Sequence, residues 1–198
     1  MRMKVQLASV AGALLFAGAT LVAQFQAQSG PALSGPPEDI TAAVIANNEL
    51  GSGMGTVQIR INRWSTDADR TRLITALRES GPQALLKELQ KMPSVGTIRT
   101  PNSVGYDLHY ARQTPVGDGR RIAIATDRPI SYAEATNQGR TLDYPFTLIQ
   151  MQLDSQGKGT GTMTYATKIV ANDDTIELED LASAPFRLTN IEAKKRKK

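Results

Sequence analysis

His109 is the only histidine among the 198 residues, so it is the only imidazole that can act as a general base near neutral pH. A serine hydrolase triad would have to use this residue, but no serine lies in a Gly-x-Ser-x-Gly context. Asp107 precedes it by two positions, and on a strand the two side chains would share one face. Asp107 and Asp127 are the two carboxylates that could serve a glycosidase-type mechanism. The alternatives are a hydrolase site of Asp107, His109 and Asp127 or an ordinary surface ion pair, and we expect the surface pair.

A second set of polar side chains falls on the strand faces that point away from the apolar residues. Its members are Arg60, Asn62 and Trp64 on one predicted strand, Asp107 and His109 on another, and Arg121 with Asp127 on a third. If these strands are neighbours, one sheet face could bind an anionic or sugar-like ligand through Arg60, Asn62 and Arg121, with Trp64 as a stacking plane. The alternatives are a solvated face with cross-strand charge pairs, and a Trp64 that is buried where a strand passes into a helix.

Composition excludes several chemistries. The absence of cysteine removes thiol nucleophiles, disulfides, iron–sulfur clusters and cysteine-ligated zinc, and a single histidine removes a multi-histidine metal site. The glycine-rich stretches at 51–55 and 157–161 lack the contexts of dinucleotide-binding and phosphate-binding loops. Residues 172–174 lack the ligand series of a calcium loop. We interpret all three stretches as turns and predict neither a metal nor a cofactor.

The chain begins with a pattern typical of a secretory signal peptide. Arg2 and Lys4 are followed by an uncharged stretch at 5–23, and small residues offer cleavage after Ala19, Ala23 or Ala27. We therefore predict a signal peptide at 1–27 and an exported protein, either periplasmic or secreted. The alternative is a segment retained as a membrane anchor.

Positive charge is concentrated at the two ends of the chain. Of the formal net charge of +4, Arg2 and Lys4 supply +2 and the terminal run at 194–198 supplies +5, so the residues between carry −3. This mildly acidic body argues against a nucleic-acid groove on the folded domain. We expect the terminal run to be a solvated, disordered basic tail, which either attracts an anionic envelope surface or only raises solubility.

Between the ends, alternating polarity predicts a single β-rich domain at 40–193, preceded by a flexible or extended linker rich in Pro, Gly and Ser at 28–39. Apolar residues recur at every second position in several segments, such as Val57, Ile59 and Ile61. Eight strands are predicted, at 40–46, 56–63, 104–111, 121–127, 144–153, 160–171, 175–181 and 186–191. Short connections between them favour antiparallel pairing.

One helical insertion interrupts the strands. Ser65 or Thr66 is the predicted N-cap, Gly81 ends a first helix, and Pro82 opens a second one that Pro93 stops. Their apolar stripes need a sheet face, and the strand at 144–153 is apolar on both faces. The predicted fold is therefore α+β, a curved antiparallel sheet or partly closed barrel of about eight strands with a helical hairpin packed on it.

Three short motifs are Trp64-Ser65-Thr66-Asp67, Thr126-Asp127-Arg128-Pro129-Ile130 and Asp143-Tyr144-Pro145-Phe146-Thr147. Together they resemble a set found in uncharacterised exported bacterial proteins of similar length, over most of the body from Thr56 onward. This resemblance implies an exported single-domain protein and no particular activity.

We thus expect a non-enzymatic module that binds a ligand or protein partner in the cell envelope. The alternatives are the hydrolase described above and a structural subunit of a larger assembly. The sequence leaves the ligand, the strand order and the oligomeric state open.

Overall fold

The computed structural model describes residues 23–25, 30–48, 51–101, 104–127, 146–166, 168–172, 175–179 and 185–197. One sheet has nine antiparallel strands in the order β5-β4-β3-β2-β12-β9-β8-β7-β6. These strands are β2 (Glu38–Asn48), β3 (Gly51–Ile61), β4 (Gly96–Arg99), β5 (Tyr106–Leu108), β6 (Tyr110–Val116), β7 (Gly119–Thr126), β8 (Phe146–Leu153), β9 (Lys158–Ala166) and β12 (Phe186–Lys195). A second sheet joins β1 (Ala23–Phe25), β11 (Thr175–Glu179) and β10 (Lys168–Asn172), in that order. The predicted curved antiparallel sheet is confirmed.

The large sheet is a nearly closed barrel because its two edge strands follow one another in the chain. Only His109 separates β5 from β6, and β5 also contacts β7. The prediction of one continuous strand at 104–111 is therefore wrong. The chain passes from one edge of the sheet to the other at His109, so Tyr110 belongs to the next strand, and Val104 lies before β5 and is exposed.

The main core fills the inside of the barrel and follows the predicted alternation. Alternate strand residues form it, as Ile40, Ala42 and Val44 do in β2 and as Val57, Ile59 and Ile61 do in β3. All of these side chains are buried. Burial of alternate aliphatic residues is thus what curls the sheet around one interior.

The helix α1 (Asp67–Lys91) begins with a capping box, in which Thr66 and Asp69 accept hydrogen bonds from each other's backbone N–H. Gly81, at φ 76°, interrupts its helical backbone. Arg72 nevertheless contacts Glu88, 16 residues further on. These residues would be about 24 Å apart in a straight helix, so the two halves fold back on each other as the predicted hairpin.

The hairpin packs on the outer face of β8, as predicted, and also on that of β7. Leu73, Leu77 and Leu89 contact a cluster that includes Phe146 and Leu148. The alternate residues of β8, Ile149, Met151 and Leu153, belong to the core inside the barrel. Tyr144 and Pro145, the first two residues of the strand predicted at 144–153, lie outside the described residues. Burial under the hairpin raises the pKa of Tyr110 to about 12.

At both ends of the predicted domain, the structured part of the chain extends beyond residues 40–193. Residues 30–37, which we call the strap, form an extended segment that packs on the barrel, and β2 already begins at Glu38. At the other end β12 continues to Lys195, and Arg196 donates hydrogen bonds to the oxygens of Ile61 and Pro37. Of the two forms predicted for the linker, flexible or extended, residues 30–37 adopt the extended one. The prediction of a disordered tail is wrong for Lys194 and Lys195, because both pair with β2.

Within the described ranges, no helix has the length and apolarity needed to span a bilayer. The predicted signal peptide falls largely outside those ranges, and it stays a prediction.

Two neighbouring strands of the sheet, β8 and β9, approach closely at Gly159. A Cβ atom on Gly159 would lie 1.9 Å from the backbone oxygen of Gln152, so this position accepts only glycine without a backbone shift. We expect Gly159→Ala to lower the free energy of unfolding by about 2–3 kcal/mol, the usual cost of overpacking. Urea denaturation checks this, with the neighbouring exposed Thr160→Ala as a control that changes stability by about 0.5 kcal/mol or less. Equal effects of the two substitutions would contradict the close approach.

Candidate functional site

The predicted binding face does not form. Arg60 lies on β3 and Arg121 on β7, and four strands separate them in the hydrogen-bonded order. The two guanidinium groups therefore occupy different sides of the barrel. The prediction assumed that these strands are neighbours, and the sequence contains no local signal of strand order.

Arg60 and Asn62 belong to a solvated polar surface instead. The Nε atom of Arg60 lies 3.0 Å from Oδ1 of Asp39 on the neighbouring strand, and both side chains are exposed. Asn62 accepts a hydrogen bond from Arg196 over 2.6 Å. These contacts fit the second interpretation given above, a solvated face with cross-strand charge pairs.

Trp64 is buried rather than presented as a stacking plane. Its side chain is part of the main core with 8% of its surface exposed, and Nε1 donates a hydrogen bond to the backbone oxygen of Pro36 over 3.1 Å. The Arg120 guanidinium lies 5.9 Å from the centre of its ring. The stacking surface is therefore occupied from within the protein.

Arg121 lies in a shallow groove on the outer face of β7, β8 and β9. The groove has a volume of about 270 Å³, and its polar lining includes Gln150, Gln152, Thr160 and Thr162. Arg121 is thus the predicted ligand residue that the structure places in a concave surface.

The candidate hydrolase residues meet only in part. Nε2 of His109 lies 3.9 Å from Oδ1 of Asp127, and these side chains are 15% and 10% exposed. Nδ1 of His109 lies 2.8 Å from the backbone oxygen of Met92. Because a carbonyl oxygen can only accept, Nδ1 must be protonated and donate this hydrogen bond. Asp107 is exposed on the outer face and accepts a hydrogen bond from Ser94 over 3.1 Å.

A larger concave site lies at the end of the barrel that the strap crosses. It has a volume of about 530 Å³ and is bounded by the strap, the β6–β7 and β8–β9 turns and the adjoining ends of β2 and β12. We call it the mouth cavity. Its side chains include Ser34, Glu38, Gln113, Asp118, Arg120 and Lys195. None of these residues belonged to the predicted site.

An ion pair forms the floor of the mouth cavity. Nη1 and Nη2 of Arg120 donate to the two carboxylate oxygens of Glu38 over 2.8 and 2.7 Å, and Nη1 also donates to Oε1 of Gln113 over 2.6 Å. Glu38 is 1% exposed, whereas Arg120 is 17% exposed and still reaches the cavity. The arrangement is the bidentate geometry that holds a guanidinium most rigidly.

A sequence signal for this floor exists, although our interpretation missed it. Glu38 is in phase with the inward residues Ile40 and Ala42, and Arg120 is in phase with Ile122 and Ile124. A charge at an inward register position must be paired or line a cavity, because an unpaired charge in a core is too costly. Two such charges of opposite sign indicate a buried pair.

The strap is held beside the mouth cavity by a second polar cluster. Arg112, 1% exposed, donates to the carboxylate of Asp67 over 2.6 Å and to the backbone oxygen of Gly30. The Ala32 N–H faces the same carboxylate at 3.3 Å. The hydrogen bond from Arg112, followed by the one from Ala32, holds the pKa of Asp67 below its ordinary value.

Among the described residues, no group of three or more histidine, aspartate or glutamate side chains is placed to hold a metal ion.

Comparison with protein-family models, curated proteins and solved structures finds no match to this chain. The resemblance based on the three short motifs therefore stays a prediction. Two of those motifs lie partly outside the described residues, and in the third Thr66 and Asp67 serve the helix cap and the strap.

The buried ion pair can be tested by a double-mutant cycle. We expect Glu38→Gln and Arg120→Met each to cost about 3 kcal/mol of unfolding free energy, because each leaves the other group buried without its partner. The double variant should cost clearly less than the sum of the two. The exposed pair Asp39–Arg60 is the matched control, with a coupling of about 1 kcal/mol or less. Equal coupling in the two cycles would show that the floor is not a desolvated pair.

The hydrogen bonds that Asp67 accepts from Arg112 and Ala32 predict that the stability of the fold decreases in acid. The folded-state pKa of Asp67 is lowered, so its carboxylate stabilises the fold above its unfolded pKa of about 4, and this contribution is lost as pH falls through the folded pKa. We expect the stability difference between the wild-type protein and Asp67→Asn to shrink from about pH 6 to about pH 2. Urea denaturation across this range measures the difference, and a constant value would contradict the assignment.

Proposed function

We propose that the chain is a non-enzymatic, exported binding module whose ligand occupies the mouth cavity. The observation that carries this proposal is a cavity of about 530 Å³ with a preformed polar floor of Glu38, Gln113 and Arg120. Small-molecule sites typically have volumes of about 300–1,000 Å³ and a few fixed polar groups.

The floor is organised before any ligand binds. The bidentate pair fixes the guanidinium of Arg120, and this group in turn fixes the amide of Gln113. A ligand that bonds to these side chains has little rotamer freedom to remove, which lowers the entropic cost of binding.

The charges around the cavity favour an uncharged polar ligand over an anion. Three carboxylates, of Glu38, Asp118 and Asp154, line it with two cations, Arg120 and Lys195, for a net charge of −1. Arg120 is already neutralised by Glu38. The anionic ligand expected from the sequence therefore has less support than an uncharged one, for example a hydroxyl-rich or amide-containing molecule.

Export rests on the charged start and the uncharged stretch at 5–23. An exported chain would use this site in the periplasm or outside the cell. Of the basic run, Lys194 and Lys195 lie in β12 and Arg196 is bonded to Ile61, so any attraction to an anionic envelope surface would act from the end of the barrel rather than from a disordered tail.

The hydrolase alternative keeps only the contact between His109 and Asp127. Both nitrogens of the imidazole face protein groups, the oxygen of Met92 and the carboxylate of Asp127. In a catalytic triad one nitrogen faces the nucleophile instead. The geometry at His109 therefore supports a structural contact where the sheet closes.

The proposal is tested by thermal melting of the purified chain with uncharged oligosaccharides, short uncharged peptides and anionic glycans. We expect an uncharged polar compound to raise the melting temperature, with a stabilisation of about 2.7 kcal/mol at 100 times its Kd. Lys195→Ala should weaken binding of that compound at least about threefold, a loss of less than one hydrogen bond to a charged group.

Lys194→Ala is the matched control, because Lys194 adjoins Lys195 on the same strand but pairs with Glu192 outside the cavity. No shift with any compound, or equal effects of the two lysine substitutions, would count against the mouth cavity as a ligand site.

A further inference from the structure

We infer that the surface beneath the strap is a binding site for an extended, uncharged peptide that contains glycine and proline, and that the strap is its built-in, displaceable occupant. We call this surface the strap seat and define it by Trp64, Asp67, Arg112 and Gln113. The inference goes beyond the proposed function, because it concerns the surface that holds the strap and not the ligand of the mouth cavity, although Gln113 borders both.

The strap seat recognises main-chain groups. Gln113 exchanges two hydrogen bonds with Leu33: the Leu33 N–H donates to the Gln113 backbone oxygen over 2.9 Å, and Nε2 of Gln113 donates to the Leu33 oxygen over 3.3 Å. Trp64 bonds to the oxygen of Pro36, and Arg112 to that of Gly30. The Ala32 N–H also faces the carboxylate of Asp67 at 3.3 Å, so four residues contact five backbone groups of the strap.

The side chains of the strap contribute little to this recognition. Pro31, Ser34 and Pro36 are exposed, and Ala32 and Leu33 are only half-buried. A surface that forms hydrogen bonds with backbone groups and leaves side chains in solvent is suited to bind an extended peptide through its main chain. A different chain with the same backbone pattern therefore meets the same set of donors and acceptors.

One position of the strap does carry a sequence requirement. A Cβ atom on Gly35 would lie 2.8 Å from Nε2 of Gln113 and 3.2 Å from Nε1 of Trp64. Trp64 cannot move aside because it is packed in the core. Any side chain at this position would crowd Gln113 and Trp64, so glycine fits best there, whereas proline suits positions 31, 36 and 37 because it presets an extended backbone.

The strap seat is held in place by groups other than the strap. The Gln113 amide is fixed by Arg120, the Arg112 guanidinium by Asp67, and Asp67 by its place in the first turn of α1. Release of the strap therefore leaves the recognition groups positioned. The strap itself has no secondary structure and is partly exposed, which places it among the segments that open most readily.

The test uses a labelled synthetic peptide with the uncharged sequence of residues 29–37 and three forms of the full chain. The first is the wild-type protein, in which the strap competes at a high effective concentration. The second is Leu33→Pro, which removes the N–H that the strap donates to Gln113 and leaves the strap seat unchanged. The third is Gly30→Cys with Thr114→Cys.

The cysteine pair can lock the strap reversibly. A Cβ atom on residue 30 would lie 3.8 Å from the Cβ of Thr114, which is the mean distance across a disulfide. The natural chain has no cysteine, so this bond would be specific. Oxidised and reduced samples of one protein then differ only in whether the strap can leave.

We expect the peptide to bind Leu33→Pro about fivefold more tightly than the wild-type protein, the equivalent of one neutral hydrogen bond. The oxidised cysteine variant should bind at least about tenfold more weakly than its reduced form. A peptide with proline in place of Leu33 should bind Leu33→Pro about fivefold more weakly than the natural peptide. Failure of the natural peptide to bind Leu33→Pro, or equal binding to the oxidised and reduced forms, would overturn the inference.

Discussion

A carboxylate and a guanidinium that leave water together must satisfy each other, because either one alone in the barrel interior would be an uncompensated charge. Glu38 and Arg120 meet this requirement between β2 and β7, which are separated by three strands in the sheet. The pair therefore joins walls of the barrel that the backbone ladder does not join directly. Gln113 is oriented by Arg120, and the strap is bonded to Gln113. The buried ion pair thus helps to position the strap at this end of the barrel.

The two ends of the barrel differ in chemistry. At the strap end, Arg112 connects the start of α1 with the strap through Asp67 and Gly30. At the other end, the sheet closes at His109, whose imidazole lies between the backbone of Met92 and the carboxylate of Asp127. The strap end is recessed and lined by polar groups, whereas His109 at the closing end is surrounded by protein. This polarity is the structural reason to place ligand binding at the strap end.

Local patterns predicted local structure well. Alternation located β3 and β7, Thr66 and Gly81 marked the start and the interruption of the helix, and the strand apolar on both faces was confirmed as the support of the hairpin. Strand order was beyond such patterns, since β2 pairs with β12 through residues about 150 positions apart in the sequence. The same long-range pairing explains why Lys194 and Lys195 looked like a tail. Four strands, β1, β4, β6 and β10, were missed as separate elements because they are short or interrupt the alternation.

The candidate site was harder to predict than the fold for a related reason. Polar residues opposite the apolar ones were taken as binding residues, and Arg60 and Asn62 lie in solvent with ordinary partners. The floor residues Glu38, Gln113 and Arg120 occupy inward positions of their strands, in phase with the core. In the sequence they look like interruptions of the apolar alternation. Such interruptions are expected where a protein trades stability for function.

The pairing of Glu38 with Lys195 places the entry to the first barrel strand beside the exit from the last one, about 5 Å apart between Cα atoms. The start and the end of the chain that forms the barrel therefore lie side by side, with one short gap between them. A short covalent join across that gap would leave the ladder intact, and new termini could be opened in an exposed turn elsewhere. A domain fused after Lys195 would lie next to the strap and close to the mouth cavity.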